Sequence, residues 1–222
     1  LKHGYRGTVP EFFDWESLPR TREHFRQTNA DHLQLLRMII EGKADALAPF
    51  DQLDETNVSY MGISLGGILG ESFLALSPGA NNQRGLIIVG GGHLSRELYA
   101  ESVGAGYFYP FLQNRAQINS GDPEFQLFMK GFEMLVQLGM DRADPVNFAA
   151  HVVAPNTPLA GGANKRVLQT ISVGDTWVPN DANEALQRAY GIPTLTGATT
   201  STNGVSGAFR FTATDFPQVS GE

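Results

Sequence analysis

The stretch Val58-Ser59-Tyr60-Met61-Gly62-Ile63-Ser64-Leu65-Gly66-Gly67 decides how this chain folds. Its apolar start predicts a short strand over residues 57–61, and residues 68–76 predict a helix soon afterwards. A serine with a glycine two positions before it and another two positions after it joins the two segments. The stretch therefore predicts a strand that turns sharply into a helix, with Ser64 at the apex.

This arrangement matches the G-x-S-x-G pattern of a nucleophile elbow. The glycines leave room for neighbouring backbone, and the helix N-terminus points free N–H groups and the positive end of its dipole at the turn. The N–H of Leu65 would then supply half of an oxyanion hole. A pattern this short also occurs by chance in glycine-rich chains. The strand directly before it and the small-residue helix directly after it favour the functional interpretation.

Strands and helices alternate on both sides of this turn. Residues 85–89 contain four consecutive apolar residues, which is typical of a strand buried on both faces. Further strands are predicted at 166–173 and 208–216, and helices at 21–41, 125–138 and 180–190. Gly191 and Pro193 end the last helix. The alternation predicts an α/β protein with a mainly parallel sheet.

An acidic residue lies in a second loop at the same predicted edge of the sheet. Asp175 follows the strand at 166–173 and precedes the helix at 180–190. Aspartates are common in turns, but a nucleophilic serine followed later in the chain by an acid after a strand is the order expected of a Ser-acid-His triad. Trp177, beside it, is predicted either to line the active site or to pack under the loop.

These motifs resemble those of the α/β-hydrolase superfamily, and more narrowly of bacterial esterase and lipase-like serine hydrolases. Softer patterns at residues 3–7 and 22–35 are also similar to that group. The resemblance implies an α/β-hydrolase fold with flanking helices and a helical cap insertion. It further implies Ser64 as nucleophile, the Leu65 N–H as oxyanion donor, Asp175 as acid, and a small-molecule or lipid-like ester as substrate. The same resemblance favours a secreted or cell-envelope location for the enzyme.

The base of the triad has no evident counterpart in the chain. In this superfamily the histidine follows the acid, whereas His3, His24, His32, His93 and His151 all precede Asp175. His93 is the best internal candidate because it follows a predicted strand, yet it is more readily interpreted as a helix start or a pocket-lining residue. The resemblance therefore implies that the histidine lies outside this chain.

The resemblance also implies that this is an incomplete member, truncated at both ends. It would run from just after the fourth of the usual eight strands to just before the histidine loop. On this interpretation, residues 1–89 and 163–222 form the hydrolase core, and residues 90–162 form a cap or lid insertion.

Composition narrows the function classes. The 222 residues include 41% apolar and 18% charged residues, as in globular proteins, and no apolar run approaches the roughly 20 residues of a membrane span. A net charge of −7 argues against nucleic acid as partner. The absence of cysteine excludes disulfides and thiolate metal sites, and no acidic or histidine cluster has metal-ligand spacing, so no cofactor is predicted. A non-catalytic hydrolase-like binding module, or a related peptidase or thioesterase, remains the alternative.

Overall fold

The computed structural model describes residues 12–14, 16–46, 53–79, 82–96, 105–119, 121–195 and 207–211. Within these ranges the helices are α1 Leu18–Ile40, α2 Leu65–Leu76, α3 Ala105–Ala116, α4 Phe125–Met140, α5 Pro145–Ala149 and α6 Asn180–Tyr190, with a 3₁₀ turn at Asp141–Ala143. The strands are β1 Val58–Ile63, β2 Asn82–Ile88, β3 Arg166–Ser172, β4 Thr194–Leu195 and β5 Gly207–Phe211.

The five strands form one parallel sheet in the order β1-β2-β3-β5-β4. β1 pairs with β2 through Gly62 opposite Ile87, and β2 pairs with β3 through Ile87 opposite Gln169. Because all strands are parallel, their carboxyl ends meet at one edge of the sheet, where the loops after β1, β2 and β3 lie side by side. The predicted α/β class with a mainly parallel sheet is confirmed.

One face of the sheet carries a core shared with helices α2 and α6. Alternate residues of β3 are buried, and Ile171 packs there with Ile87 of β2. Leu74 of α2 and Leu186 of α6 close this core. The alternation of buried and partly buried residues along β3 follows from the two-residue period of side chains in a sheet.

A second core joins the long helices to the start of α2. Phe25 of α1, Val136 and Met140 of α4, and Ile68 of α2 are all buried within it. Ala149, Val152 and Val153, by contrast, lie inside the predicted insertion but pack in the sheet core, where Val152 is fully buried. The division into a hydrolase core and an insertion at 90–162 stays a prediction.

Element boundaries agree with the sequence to within a few residues. The predicted helix at 180–190 is confirmed, and Gly191 closes it in a left-handed conformation with φ 70°. The helix after Ser64 begins at Leu65, three residues earlier than predicted, so it follows the serine without a linker. The last strand ends at Phe211, and residues 212–216 of its predicted range lie outside the described residues. Among the described helices, none is both long and apolar enough to cross a bilayer.

Candidate active site

Ser64 occupies the sharp turn between β1 and α2, as the sequence predicts. Its backbone has φ 53° and ψ −118°, a conformation that residues other than glycine rarely adopt. The residue is exposed, and although it is the N-cap of α2 its side chain makes no capping hydrogen bond. Backbone strain of this kind persists only where surrounding contacts hold it, and it concentrates at functional sites. The hydroxyl is therefore presented at the surface and is not committed to the helix.

Close backbone contacts explain two of the glycines at this turn. A Cβ on Gly62 would lie 2.3 Å from the carbonyl oxygen of Gly66, and a Cβ on Gly67 would lie 2.9 Å from the Cα of Gly90. The expectation that both glycines of the motif make room for neighbouring backbone is correct for Gly62. It is wrong for Gly66, because a Cβ there would meet no described atom within 4 Å. The Tyr60 hydroxyl donates to the Gly66 carbonyl at 2.6 Å and holds this first turn.

The N-terminus of α2 supplies amide groups to the turn. Leu65 is the first residue of the helix, so its N–H has no acceptor within the helix. The N–H of Ser64 itself donates to the Ile88 carbonyl at 2.9 Å and ties the turn to β2. Free amides and the helix dipole favour negative charge at this point. The arrangement suits an oxyanion donor, and the role of Leu65 stays a prediction.

The loop after β2 is a second strained segment at the same edge. Val89 has φ 46°, which is a genuine outlier for a β-branched residue. Its N–H donates to the Thr170 carbonyl of β3 at 3.0 Å. The strain at Val89 is not predicted from the sequence, since a valine at the end of an apolar run predicts ordinary extended backbone.

Asp175 lies in the loop after β3. Its Oδ1 accepts the backbone N–H groups of Trp177 at 2.8 Å and Val178 at 3.1 Å, which fixes the carboxylate. Neighbouring strands are about 4.8 Å apart, so the ends of β1 and β3 are separated by roughly 10 Å, a gap that one imidazole can bridge. Trp177 is 59% exposed and therefore does not pack under the loop.

No described imidazole forms a hydrogen bond with Ser64 in the part of the chain that the structure covers. The Nδ1 atoms of His24 and His151 each lie 2.8 Å from a backbone carbonyl oxygen. His32 packs edge-on against a phenylalanine ring, and burial lowers its pKa. His3 lies outside the described residues. Within the described ranges, no group of three or more His, Cys, Asp or Glu side chains could hold a metal ion.

His93 lies in the loop after β2 and has φ 61°. It is exposed and lines a cavity of about 540 Å³ together with Arg96, Lys130 and Glu133. Neither predicted catalytic side chain is among the residues that line this cavity. The backbone N–H of His93 donates to the buried carboxylate of Asp144 at 3.1 Å, which anchors the loop to the segment before α5.

Two asparagines at the start of α6 connect the loops after β2 and β3. The Asn180 amide donates to the Ser172 carbonyl at 2.6 Å and accepts the Gly174 N–H at 2.8 Å. The Asn183 amide donates to the Gly90 carbonyl at 2.8 Å. Neither asparagine was predicted from the sequence as a site residue. The only signal was the position of Asn180 directly after Pro179, which would be interpreted as a helix cap.

No protein-family model matches the sequence, and no curated protein matches it with significance. Solved structures do match. An acetyl xylan esterase from Paenibacillus sp. R4 is 15% identical with a TM-score of 0.55, and the match covers 96% of this chain and 54% of that one. An acylaminoacyl peptidase from Pyrococcus horikoshii is 17% identical with a TM-score of 0.46, over 91% of this chain and 24% of that one. Acetyl Xylan Esterase 1 from Thermoanaerobacterium sp. JW/SL YS485 is 16% identical with a TM-score of 0.45, over 94% of this chain and 52% of that one.

The parallel sheet, the strained serine turn and the match to the Paenibacillus structure define the α/β-hydrolase fold. At this identity the similarity concerns the fold alone. The chain spans about half the length of the Paenibacillus esterase and about a quarter of that of the Pyrococcus peptidase.

Proposed function

We propose that this protein is a serine hydrolase that cleaves carboxylic esters. The observation that carries the proposal is the conformation of Ser64, which combines φ 53° and ψ −118° with an exposed hydroxyl at the N-terminus of α2. Non-glycine residues adopt such a conformation at a cost of about 1–3 kcal/mol, and they do so mainly where function requires it. A turn that served only to connect a strand to a helix would need no such strain.

In the proposed reaction the Ser64 hydroxyl attacks the ester carbonyl and passes its proton to a histidine supplied from outside residues 1–222. Asp175 accepts the other N–H of that imidazole and so fixes its tautomer. The Leu65 N–H and a second backbone N–H stabilise the oxyanion, at about 2.7–4 kcal/mol for a donor. Collapse of the tetrahedral intermediate releases the alcohol with the proton from the imidazole. Water then hydrolyses the acyl-enzyme by the same route and restores the serine.

The competing proposal is a hydrolase-like binding module without catalysis. The observation that favours it is that no imidazole among the described residues forms a hydrogen bond with Ser64. A serine hydroxyl is a weak nucleophile unless a base activates it. The two proposals therefore differ in one measurable property, the reactivity of Ser64.

Labelling with a fluorophosphonate tests this property. We expect the full-length protein, which carries the proposed histidine, to be labelled and Ser64→Ala to abolish the labelling. Ser59→Ala is the matched control, because Ser59 is an exposed serine on β1, the strand that leads into Ser64. This variant should be labelled as the unmodified protein is. If labelling is absent, or is unaffected by Ser64→Ala, the hydrolase proposal fails and the binding module is favoured.

The substrate class needs a separate assay. We expect p-nitrophenyl esters of acetate to laurate to be hydrolysed in a manner that depends on Ser64, with the optimal chain length defining a small or lipid-like substrate. An acylated amino-acid p-nitroanilide presents the same acyl transfer, but the bond that breaks is an amide and the leaving group is p-nitroaniline. Faster turnover of the anilide than of every ester would overturn the ester assignment while leaving the serine hydrolase proposal intact.

A further inference from the structure

The first turn of α6 lies between two loops at the carboxyl edge of the sheet. One is the loop at residues 89–92 after β2, and the other is the loop at residues 172–175 that contains Asp175. Asn180 and Asn183 are one helical turn apart and share a face of α6. The Asn180 amide donates to the side-chain oxygen of Asn183 at 3.1 Å, so the two side chains form one hydrogen-bonded unit.

Asn180 holds the loop that contains Asp175. Its amide nitrogen donates to the Ser172 carbonyl, and its oxygen accepts the Gly174 N–H, so both ends of the turn before Asp175 are bound to a single planar group. Asn180 is not acting as a helix cap. The N-cap of α6 is Pro179, and the Asn180 side chain bonds to the preceding loop instead of to the helix amides.

Asn183 holds the other loop. It is fully buried, and its amide nitrogen donates to the Gly90 carbonyl at 2.8 Å. The Ala182 carbonyl on the same turn accepts the Gly92 N–H at 3.1 Å, which adds a second anchor. Both bonds bind the chain immediately after Val89, whose strained backbone needs surrounding contacts to persist.

The loop after β2 in turn touches the serine turn. Gly90 packs so closely on Gly67 in the first turn of α2 that a Cβ on Gly67 would lie 2.9 Å from the Cα of Gly90. The strand that leads into this loop accepts the Ser64 N–H at the Ile88 carbonyl. A displacement of Gly90 would therefore be passed to Ser64 through backbone contacts, with no flexible side chain between them.

We propose that Asn180 and Asn183 are positioning residues that set the distance between Ser64 and Asp175. This inference rests on the proposed function. Neither asparagine touches the reacting atoms, and each acts through the loop that it holds. An amide is required because one planar group must both donate and accept, which neither a carboxylate nor an apolar side chain of similar size can do.

Kinetics of Asn180→Ala test the inference. Because displacement of a reacting group by about 1 Å can cost on the order of 100-fold in rate, we expect kcat for a p-nitrophenyl ester to fall by roughly 10- to 100-fold with KM changed less than about threefold. The control is Asn156→Ala, because the Asn156 amide donates to the Tyr190 carbonyl at the other end of α6, at 3.4 Å. The control should leave kcat within about twofold.

A double-mutant cycle separates positioning from general stability. If Asn180 acts through Asp175, Asn180→Ala should cause little further loss of kcat once Asp175 is replaced by Asn. An equal loss in both backgrounds would overturn the inference. The test uses Asn180, which is half-buried, and it can therefore be carried out even if Asn183→Ala does not fold.

Amide hydrogen exchange supplies a readout that needs no activity. Asn180→Ala should speed exchange across residues 172–178, and Asn183→Ala across residues 89–92, each by more than about tenfold relative to Asn156→Ala. If the unmodified protein shows no reactivity that depends on Ser64, the proposed function fails and exchange alone decides whether the asparagines hold the loops. If Ser64 reacts but neither kcat nor exchange responds, the positioning inference fails and the proposed function stands.

Discussion

The phenol of Tyr190 in α6 donates a 2.7 Å hydrogen bond to Oε2 of Glu71 in α2. Both side chains are buried, and Oε1 of Glu71 has no hydrogen-bond partner. Burial raises the pKa of Glu71 well above its ordinary value of 4.5, and the bond from Tyr190 offsets only part of this effect. Burial therefore favours the protonated, neutral form of Glu71, which lies on the helix that begins at Leu65.

This pairing predicts how stability depends on pH. The pKa of Glu71 is higher in the folded protein than in the unfolded chain. Its contribution to the free energy of unfolding is therefore fully present below pH 4.5 and is lost as pH rises toward the folded pKa. Glu71→Gln, which resembles the neutral acid, should remove this loss of up to about 1.4 kcal/mol per pH unit. Urea unfolding at pH 4.5, 6 and 7.5 measures it, with the exposed Glu124→Gln as control. Parallel pH profiles for Glu71→Gln and the unmodified protein would contradict the prediction.

The buried Lys165 predicts that the stability of the fold rises with pH in the alkaline range, opposite to the effect of Glu71. The side chain is buried, donates to the carbonyls of Ser77 at 2.8 Å and Ala163 at 3.0 Å, and burial lowers its pKa to about 8 from 10.5. Between these values the unfolded chain binds more protons than the folded one, so this group makes stability rise with pH. In Lys165→Met the free energy of unfolding should no longer show this rise, which amounts to up to about 1.4 kcal/mol per pH unit.

Urea unfolding between pH 7.5 and 10 measures the slope for Lys165→Met against Lys130→Met, a control at an exposed lysine. Comparison with the control cancels the titration of other groups over the same range. A difference that is constant with pH would show that Lys165 matters only through its two hydrogen bonds.

The glycines of the serine turn predict a contrast within one motif. Gly62→Ala would press a methyl group against the Gly66 carbonyl, and overpacking of this kind costs about 1–3 kcal/mol or more. Gly66→Ala meets no described atom and lies in a helix, where alanine is favoured by about 1 kcal/mol. The midpoint temperature of thermal unfolding and the extent of fluorophosphonate labelling should both fall in Gly62→Ala. Both should be retained in Gly66→Ala. Equal effects of the two changes would refute this account of the turn.

The buried carboxylate of Asp144 predicts a large loss of stability on truncation. Its oxygens accept the backbone N–H groups of His93, Leu94 and Val146 and the side-chain amide of Gln137. Asp144→Ala removes the acceptor of the buried Leu94 N–H and of the partly buried N–H groups of His93 and Val146, and a buried donor left unpaired costs about 1–3 kcal/mol. We expect a loss above about 2 kcal/mol in urea unfolding. Asp141→Ala, at an exposed position, should cost much less, and similar losses would contradict the proposed network.

Much of the fold could be predicted because it depends on local signals. The apolar run at 85–89, the period of the helix at 180–190 and the left-handed Gly191 each follow from the conformational preferences of nearby residues. Ser64 and Asp175 could be placed on one edge for the same reason, since each directly follows a strand of a parallel sheet. The strain at Val89 could not be predicted, because it is imposed by contacts with β3 and α6 that are distant in sequence.

The sequence by itself determined the class of fold, the serine turn and the order of the serine and the acid, because strand and helix periodicity and glycine spacing are properties of neighbouring residues. Only the tertiary structure decided that Gly67 is sterically required whereas Gly66 is not, and that Asn180 and Asn183 bind the two loops together. Both depend on backbone brought into contact across the sheet edge. Such contacts leave no periodic trace in the chain, since they join residues that are up to 93 positions apart.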